Sequence, residues 1–177
     1  MTAIKHFGVT NMKKLIPSIL TLSNLLLGFT AILFTFKGEI LAAILLVMLG
    51  LFCDFLDGYC ARKLNAVSLL GKELDSLADL VTFAVAPAIM AYVASLHEIR
   101  MFGAACCLIY VCCGALRLAR FNATQSHISG FVGMPTPLAA VFMLLLTASP
   151  RPSVVAFGTL LIGVLMISKI SFPSLKK

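Results

Sequence analysis

Five of the seven acidic residues of this 177-residue chain fall within 26 consecutive positions, and four of the five are regularly spaced aspartates. Asp54 and Asp57 are three residues apart, and Asp75 and Asp79 are four apart, so each pair shares one face of a helix. Two helices joined by a turn over residues 62–72 would present all four carboxylates to one another. Such oxygen ligands are typical of Mg²⁺ or Mn²⁺ sites that also hold substrate phosphates.

The carboxylates lie at the edge of strongly apolar segments. The chain is 60% hydrophobic and 12% charged, with a mean hydropathy of +1.05, whereas soluble domains are about a quarter charged. This composition excludes an ordinary soluble enzyme, a disordered chain and a nucleic-acid-binding domain, and it predicts an integral membrane protein. Counted from residue 40, Asp54 lies about 21 Å across a hydrocarbon core of about 30 Å. Carboxylates at that depth cost on the order of a few kcal/mol each unless protons or cations compensate them.

Six apolar segments with short connections predict one all-α membrane domain, a bundle of six transmembrane helices spanning residues 1–177. We place an interfacial segment at 1–14 and the spans at 15–36, 40–61, 72–96, 101–118, 133–149 and 153–169. With both termini in the cytoplasm, the inner side carries 11 Lys and Arg residues and the outer side 3. We therefore expect a multi-pass protein of the plasma membrane, with its acidic end facing the cytoplasm.

The acidic stretch matches a family signature. The order D-x-x-D-G-x-x-A-R, eight residues, then G-x-x-x-D-x-x-x-D resembles that of the CDP-alcohol phosphatidyltransferases. Its eight positions are Asp54, Asp57, Gly58, Ala61, Arg62, Gly71, Asp75 and Asp79. The resemblance implies a six-helix membrane fold, usually a homodimer, whose four aspartates bind Mg²⁺ or Mn²⁺ on the diphosphate of a CDP-linked lipid. It also implies that Asp79 takes the proton of an acceptor alcohol while CMP leaves.

Two further segments are similar to elements of the phosphatidylserine synthases within that family. The first runs from Pro17 through Thr21 to Asn24 and implies contacts with the cytidine end, although Ser18 stands where the element has asparagine. The implied residues for binding CDP-diacylglycerol are Pro17, Thr21, Asn24, Asp57, Gly58, Ala61, Arg62 and Gly71. The second element covers residues 114–122 together with 131–137.

The second element contains the candidates for serine binding, which are Arg117, Arg120 and Asn122. An arginine fork suits the serine carboxylate, and an asparagine amide oxygen can accept from the serine ammonium group. The sequence leaves open which arginine binds the carboxylate. It also leaves open whether either one serves only as a positive anchor at the cytoplasmic end of a helix.

The expected function is metal-dependent transfer of a phosphatidyl group from CDP-diacylglycerol to the hydroxyl of L-serine, giving phosphatidylserine and CMP. Two alternatives stay open. One is a phosphatidyltransferase with another acceptor, such as glycerol 3-phosphate or an inositol phosphate, for which Arg117 with Arg120 could supply the extra basic site. The other is a cation transporter that uses the aspartates, although Arg62 beside them disfavours a cation path.

Overall fold

The structure is a computed structural model that describes residues 2–124 and 133–168, with side chains from residue 15 to 123 and from 133 to 168. Its α-helices are α1 (Thr2–Phe36), α2 (Ile40–Lys63), α3 (Leu69–Asp79), α4 (Ala86–Ala94), α5 (Arg100–Thr124), α6 (Thr136–Thr147) and α7 (Pro152–Ile167). A π-helical segment, Leu80–Val85, joins α3 to α4, and a 3₁₀ turn, Leu96–Ile99, joins α4 to α5. The side chains of the predicted interfacial segment and the predicted end of the last span at residue 169 lie outside the described residues.

Four helical stretches are long and apolar enough to cross a bilayer. They are Leu15–Phe36, Ile40–Lys63, Leu69–Ala94 and Leu96–Ala123. Helices α6 and α7 are also apolar but have 12 and 16 residues, or about 18 and 24 Å at 1.5 Å per residue. Large hydrophobic side chains cover the outer faces of the helices and are exposed, as they are where a bundle faces lipid. The described residues therefore form the predicted all-helical membrane bundle.

The helices continue further at the acidic end than the predicted spans do. Helix α2 runs to Lys63, α3 begins at Leu69, and α5 reaches Thr124, six residues past the predicted end of its span. The predicted spans follow the apolar segments, but charged residues beyond the hydrocarbon do not stop a helix. Only residues 64–68 separate α2 from α3, because Ser68 caps α3 by accepting a hydrogen bond from the Gly71 amide at 3.0 Å.

The π-helical segment is the centre of the packing, since α1, α4, α5 and α6 all contact it. Its buried Thr82 enters a notch between α1 and α2 where both helices have glycine. A Cβ on Gly28 would lie 2.7 Å from the Thr82 Cα, and one on Gly50 would lie 2.8 Å from the Thr82 methyl carbon. The two glycines therefore allow the backbones of α1, α2 and the π-helical segment to pack closely against one another.

Hydrogen bonds also hold the π-helical segment from two sides. The Thr82 hydroxyl donates to the backbone carbonyl of Asn24 on α1 at 3.0 Å. From α5, the buried Tyr110 hydroxyl donates to the Phe83 carbonyl at 3.0 Å. A π turn shifts backbone groups out of the regular helical ladder, and in lipid such groups need protein partners. These contacts fix the end of α3, which carries Asp75 and Asp79.

We predict that Gly28→Ala destabilises the fold, because its Cβ would collide with the Thr82 backbone. Overpacking of this kind costs about 1–3 kcal/mol. The unfolding temperature in detergent, followed with a dye that reacts with the buried cysteines, should fall by several degrees.

Gly163→Ala on α7 is the matched control, because its Cβ would meet only ordinary contacts at 3.5 Å or more. That variant should unfold at the wild-type temperature or slightly above it, since alanine favours helix. Equal unfolding temperatures for Gly28→Ala and the wild type would contradict the close approach at Thr82.

Candidate active site

Three of the four predicted aspartates form one cluster, which we call the acid cluster. Carboxylate oxygens of Asp54 and Asp57 on α2 and of Asp75 on α3 all lie within 4.8 Å of one another. Asp57 is buried and the other two are half-buried. Negative charges this close repel strongly where water is scarce, so the arrangement requires protons or a cation between them.

Asp79 lies beside the acid cluster, one helical turn beyond Asp75. It is 8% exposed, and its carboxylate interacts with that of Asp54. The Asn24 amide donates to Asp79 Oδ1 at 3.4 Å. The structure thus brings all four aspartates together, with Asp79 the more deeply buried of the two aspartates on α3.

Helix α1 supplies a hydrogen bond to one acid on each acidic helix. The Thr21 hydroxyl donates to Asp57 Oδ2 at 2.7 Å, and Asn24 donates to Asp79. Thr21 and Asn24 share a face of α1, as their spacing of three residues predicts. These two residues therefore contact carboxylates directly, which adds to the nucleotide contacts that the sequence implies for them.

The acid cluster fits a divalent cation in its chemistry. Its donors are carboxylate oxygens, which hard ions such as Mg²⁺ and Mn²⁺ prefer. Among the described residues, no hydrogen bond reaches the buried Oδ1 of Asp75. An unpartnered buried carboxylate oxygen is costly, and a bound cation would satisfy it.

A cavity of about 690 Å³ opens beside the acid cluster towards the end of the bundle where α2 and α5 end and α3 begins. All but one of the residues predicted to bind CDP-diacylglycerol line it. They are Pro17, Thr21, Asp57, Gly58, Ala61, Arg62 and Gly71. The exception is Asn24, which is fully buried and contacts Asp79 instead.

Gly58 and Gly71 leave room in the cavity wall. A Cβ on Gly58 would meet nothing nearer than the Arg62 guanidinium at 3.4 Å, and a Cβ on Gly71 would meet only the Ser68 hydroxyl at 3.0 Å. Protein packing does not demand glycine here as it does at Gly28. Space for a ligand beside the acids is the better explanation of these two residues.

An apolar groove of about 590 Å³ adjoins the cavity. It is lined by Met48, Leu51, Phe52, Asp54, Phe55 and Pro137. Asp54, Phe55 and Pro137 also line the cavity. Polar and apolar binding surfaces therefore meet at one aspartate, which suits a molecule with a charged head and a hydrocarbon chain.

The structure distinguishes the two arginines that the sequence left equivalent. Arg117 lines the cavity and donates a hydrogen bond to the buried Thr136 hydroxyl, and it interacts electrostatically with Asp79. Arg120 is exposed and donates to the Ile167 carbonyl at 3.1 Å, which ties α5 to the end of α7. Only Arg117 of the pair is in a position to meet a ligand in the cavity.

Asn122 connects α5 to α3. Its side-chain amide donates to Glu73 Oε2 at 3.1 Å, and its side-chain oxygen accepts from the Ser76 hydroxyl at 3.2 Å. Its backbone carbonyl accepts from Lys72 at 3.0 Å. Binding of a serine ammonium group by Asn122 stays a prediction, and it would use the second lone pair of the side-chain oxygen that accepts from Ser76.

Neither Lys72 nor Phe121 is among the predicted binding residues, yet both line the cavity. The spacing of Lys72 from Asp75 and Asp79, three and seven residues, was an available signal because those positions share a helical face. Phe121 carried no such signal, because its place depends on how α5 packs against α3. Lys63, which looks equivalent to Lys72 in the sequence, is exposed at the end of α2.

The chain is similar to curated proteins over most of its length. A CDP-diacylglycerol–serine O-phosphatidyltransferase of Bacillus subtilis is 46% identical over 162 residues, which cover 92% of each protein. A protein of the same name from Helicobacter pylori is 37% identical, covering 92% of this chain and 73% of its own length. An archaetidylserine synthase of Methanothermobacter thermautotrophicus is 37% identical, covering 89% of this chain and 69% of its own length.

The family model described as CDP-alcohol phosphatidyltransferase matches residues 14–170. That range contains the acid cluster, Asp79 and every residue assigned to the cavity wall. The chain belongs to the CDP-alcohol phosphatidyltransferase family.

Proposed function

We propose that the protein transfers the phosphatidyl group of CDP-diacylglycerol to the hydroxyl of L-serine, giving phosphatidylserine and CMP. The observation that carries this proposal is that the acid cluster, the apolar groove and Arg117 all border the same cavity. The acid cluster suits a metal-bound diphosphate, the groove suits an acyl chain, and Arg117 offers a cation for a carboxylate. The names of the relatives at 37–46% identity support serine as the acceptor.

Asp54, Asp57 and Asp75 would hold Mg²⁺ or Mn²⁺, one or two ions, with Asp79 as a neighbouring fourth carboxylate. When bound, the cation would neutralise charge on the diphosphate and on the leaving CMP. Thr21 keeps Asp57 oriented by donating to one of its oxygens. Arg62, at the rim of the cavity, can donate to a phosphate oxygen, and Gly58 leaves space for that phosphate against α2.

Asp79 is the proposed general base. In the reaction, the serine oxygen bonds to the lipid-side phosphorus, the bond from that phosphorus to the oxygen of CMP breaks, and the hydroxyl proton passes to Asp79. Asn24 holds one Asp79 oxygen by donating to it. Burial of Asp79 among packed helices keeps competing water away from the proton transfer.

The charge pattern supports an orientation. Five cationic residues lie at the end of the bundle where the cavity opens. They are Arg62, Lys63, Lys72, Arg117 and Arg120. We propose that this end faces the cytoplasm of a plasma membrane and that both termini lie on the same side. We also propose a homodimer, which rests on the family resemblance alone.

The first prediction from this mechanism is metal dependence. Excess chelator should abolish CMP release from CDP-diacylglycerol and serine, because without a cation the acid cluster repels the diphosphate. Adding Mg²⁺ or Mn²⁺ in excess of the chelator should restore the rate. Full CMP release in chelator would exclude a metal role for the acid cluster.

The second prediction separates Asp79 from the acid cluster. Asp79→Asn keeps the side chain's size and removes the base, so kcat should fall by about 10²–10⁴ with a smaller change in the KM for CDP-diacylglycerol. Asp57→Asn should instead weaken metal binding, so the Mg²⁺ concentration needed for half-maximal rate should rise. Near-normal turnover by Asp79→Asn would show that another group takes the proton.

The third prediction uses the difference between the arginines. Arg117→Lys keeps the charge but loses the two-pronged fork, so the KM for serine should rise strongly while that for CDP-diacylglycerol changes little. Arg120→Lys is the matched control and should leave both KM values near wild type, since Arg120 bonds a helix end. A larger effect of Arg120→Lys than of Arg117→Lys on the serine KM would reverse the assignment.

A further inference from the structure

Lys72 and Arg117 share one aromatic ring in the cavity wall. The Lys72 Nζ lies 5.8 Å from the centre of the Phe121 ring, and the Arg117 Cζ lies 5.6 Å from the same centre. Both distances are within the range of cation–π attraction. One ring thus draws together a cation from α3 and a cation from α5.

Among the residues that the structure describes, the hydrogen-bond partners of these two cations are neutral. Lys72 donates to the Asn122 carbonyl at 3.0 Å, and Arg117 donates to the Thr136 hydroxyl. Both side chains are half-buried in the cavity wall, where water can screen them only partly. The wall therefore presents two positive charges whose remaining donors are available to an anion.

The position of the two cations suits the acceptor better than the donor. Lys72 lies on the face of α3 that carries Asp75 and Asp79, nearer the open end of the cavity, and Arg117 interacts electrostatically with Asp79. In serine, only two carbons separate the hydroxyl oxygen from the carboxylate carbon. A serine whose hydroxyl meets Asp79 therefore has its carboxylate within a few ångströms of that acid, which is the one that Arg117 interacts with.

We propose that Lys72 and Arg117, held side by side by Phe121, together bind the carboxylate of the acceptor amino acid. Lys72 is then a residue that determines specificity for an acceptor with a carboxylate, and Phe121 is a positioning residue for both cations. This inference rests on the proposed function, because it assumes that serine is the acceptor. It adds a second carboxylate-binding group, on the helix that carries the proposed base.

The test compares two acceptors that differ only in charge. Initial rates of CMP release are measured for the wild type and for Lys72→Gln, with serine and with serinamide, whose carboxamide is neutral. Serinamide is also measured as a competitive inhibitor of serine, so its affinity is obtained even if it is turned over slowly. Lys63→Gln is the matched control, since Lys63 is exposed, lies 5.6 Å from the Tyr59 ring and is outside the cavity wall.

We expect Lys72→Gln to raise the KM for serine about tenfold or more, as loss of a charge-assisted hydrogen bond does. The affinity for serinamide and the KM for CDP-diacylglycerol should stay within about twofold of the wild type, and Lys63→Gln should change none of them. Phe121→Leu, which keeps an apolar side chain but removes the ring, should raise the serine KM in the same direction. Lys72→Arg should retain most of the serine affinity.

Three results would overturn the assignment of Lys72. They are an unchanged serine KM, an equal loss for serine and serinamide, or a rise confined to the KM for CDP-diacylglycerol, which would mark Lys72 as a phosphate ligand. Failure of the proposed function would give a different result, because the wild type would then release no CMP in response to serine. An unchanged KM for CDP-diacylglycerol in Lys72→Gln also serves as the check that this variant is folded.

Discussion

The structure depends on holding four carboxylates together at the edge of an apolar bundle. Their mutual repulsion and their loss of water oppose folding, so each acid needs a nearby compensating group. Thr21 and Asn24 supply hydrogen bonds from α1, and the oxygens of the acid cluster lie close enough to share a cation. Much of the surrounding architecture can be understood as the means of keeping α1, α2 and α3 at that distance. The notch that receives Thr82 is the clearest example, because it allows α1, α2 and the π-helical segment that continues α3 to approach one another closely.

The same constraint divides the cavity into two chemical regions. One part of the lining carries the acids and suits a cation with its bound phosphates, whereas a neighbouring part carries Arg117, Lys72 and Phe121. A substrate pair with a diphosphate on one member and a carboxylate on the other matches this division of charge. The adjoining apolar groove completes the match to a lipid donor, since it meets the acidic wall at Asp54.

Much of this arrangement could be predicted from the sequence. The features that could not be predicted all depend on contacts between helices or on the environment outside the hydrocarbon. Helices and acidic pairs follow from local periodicity, so the spans and the face shared by Asp75 and Asp79 were accessible. The length of α5 beyond Arg117 was not, because charged residues outside the hydrocarbon are compatible with helix or loop. The contrast between Arg117 and Arg120 was also inaccessible, because it depends on which helix each side chain meets. The π-helical segment has no local signature in Leu80–Val85, because tertiary contacts to Thr82 and Tyr110 stabilise it.

That π-helical segment has a consequence for the rotational phase of the helix that it interrupts. Each residue of an α-helix advances the rotation about the helix axis by about 100°. A π turn holds one extra residue, so the residues after it are rotated relative to their positions in a continuous α-helix. The faces of α3, which carries Asp75 and Asp79, are therefore rotated about the helix axis relative to those of α4, which packs into the core of the bundle. Each helix presents the face that its own surroundings require, the acids towards the cavity and the small residues of α4 towards the core. Loss of one residue between Leu80 and Val85 would bring both helices back into phase and rotate one of these faces away from its partners.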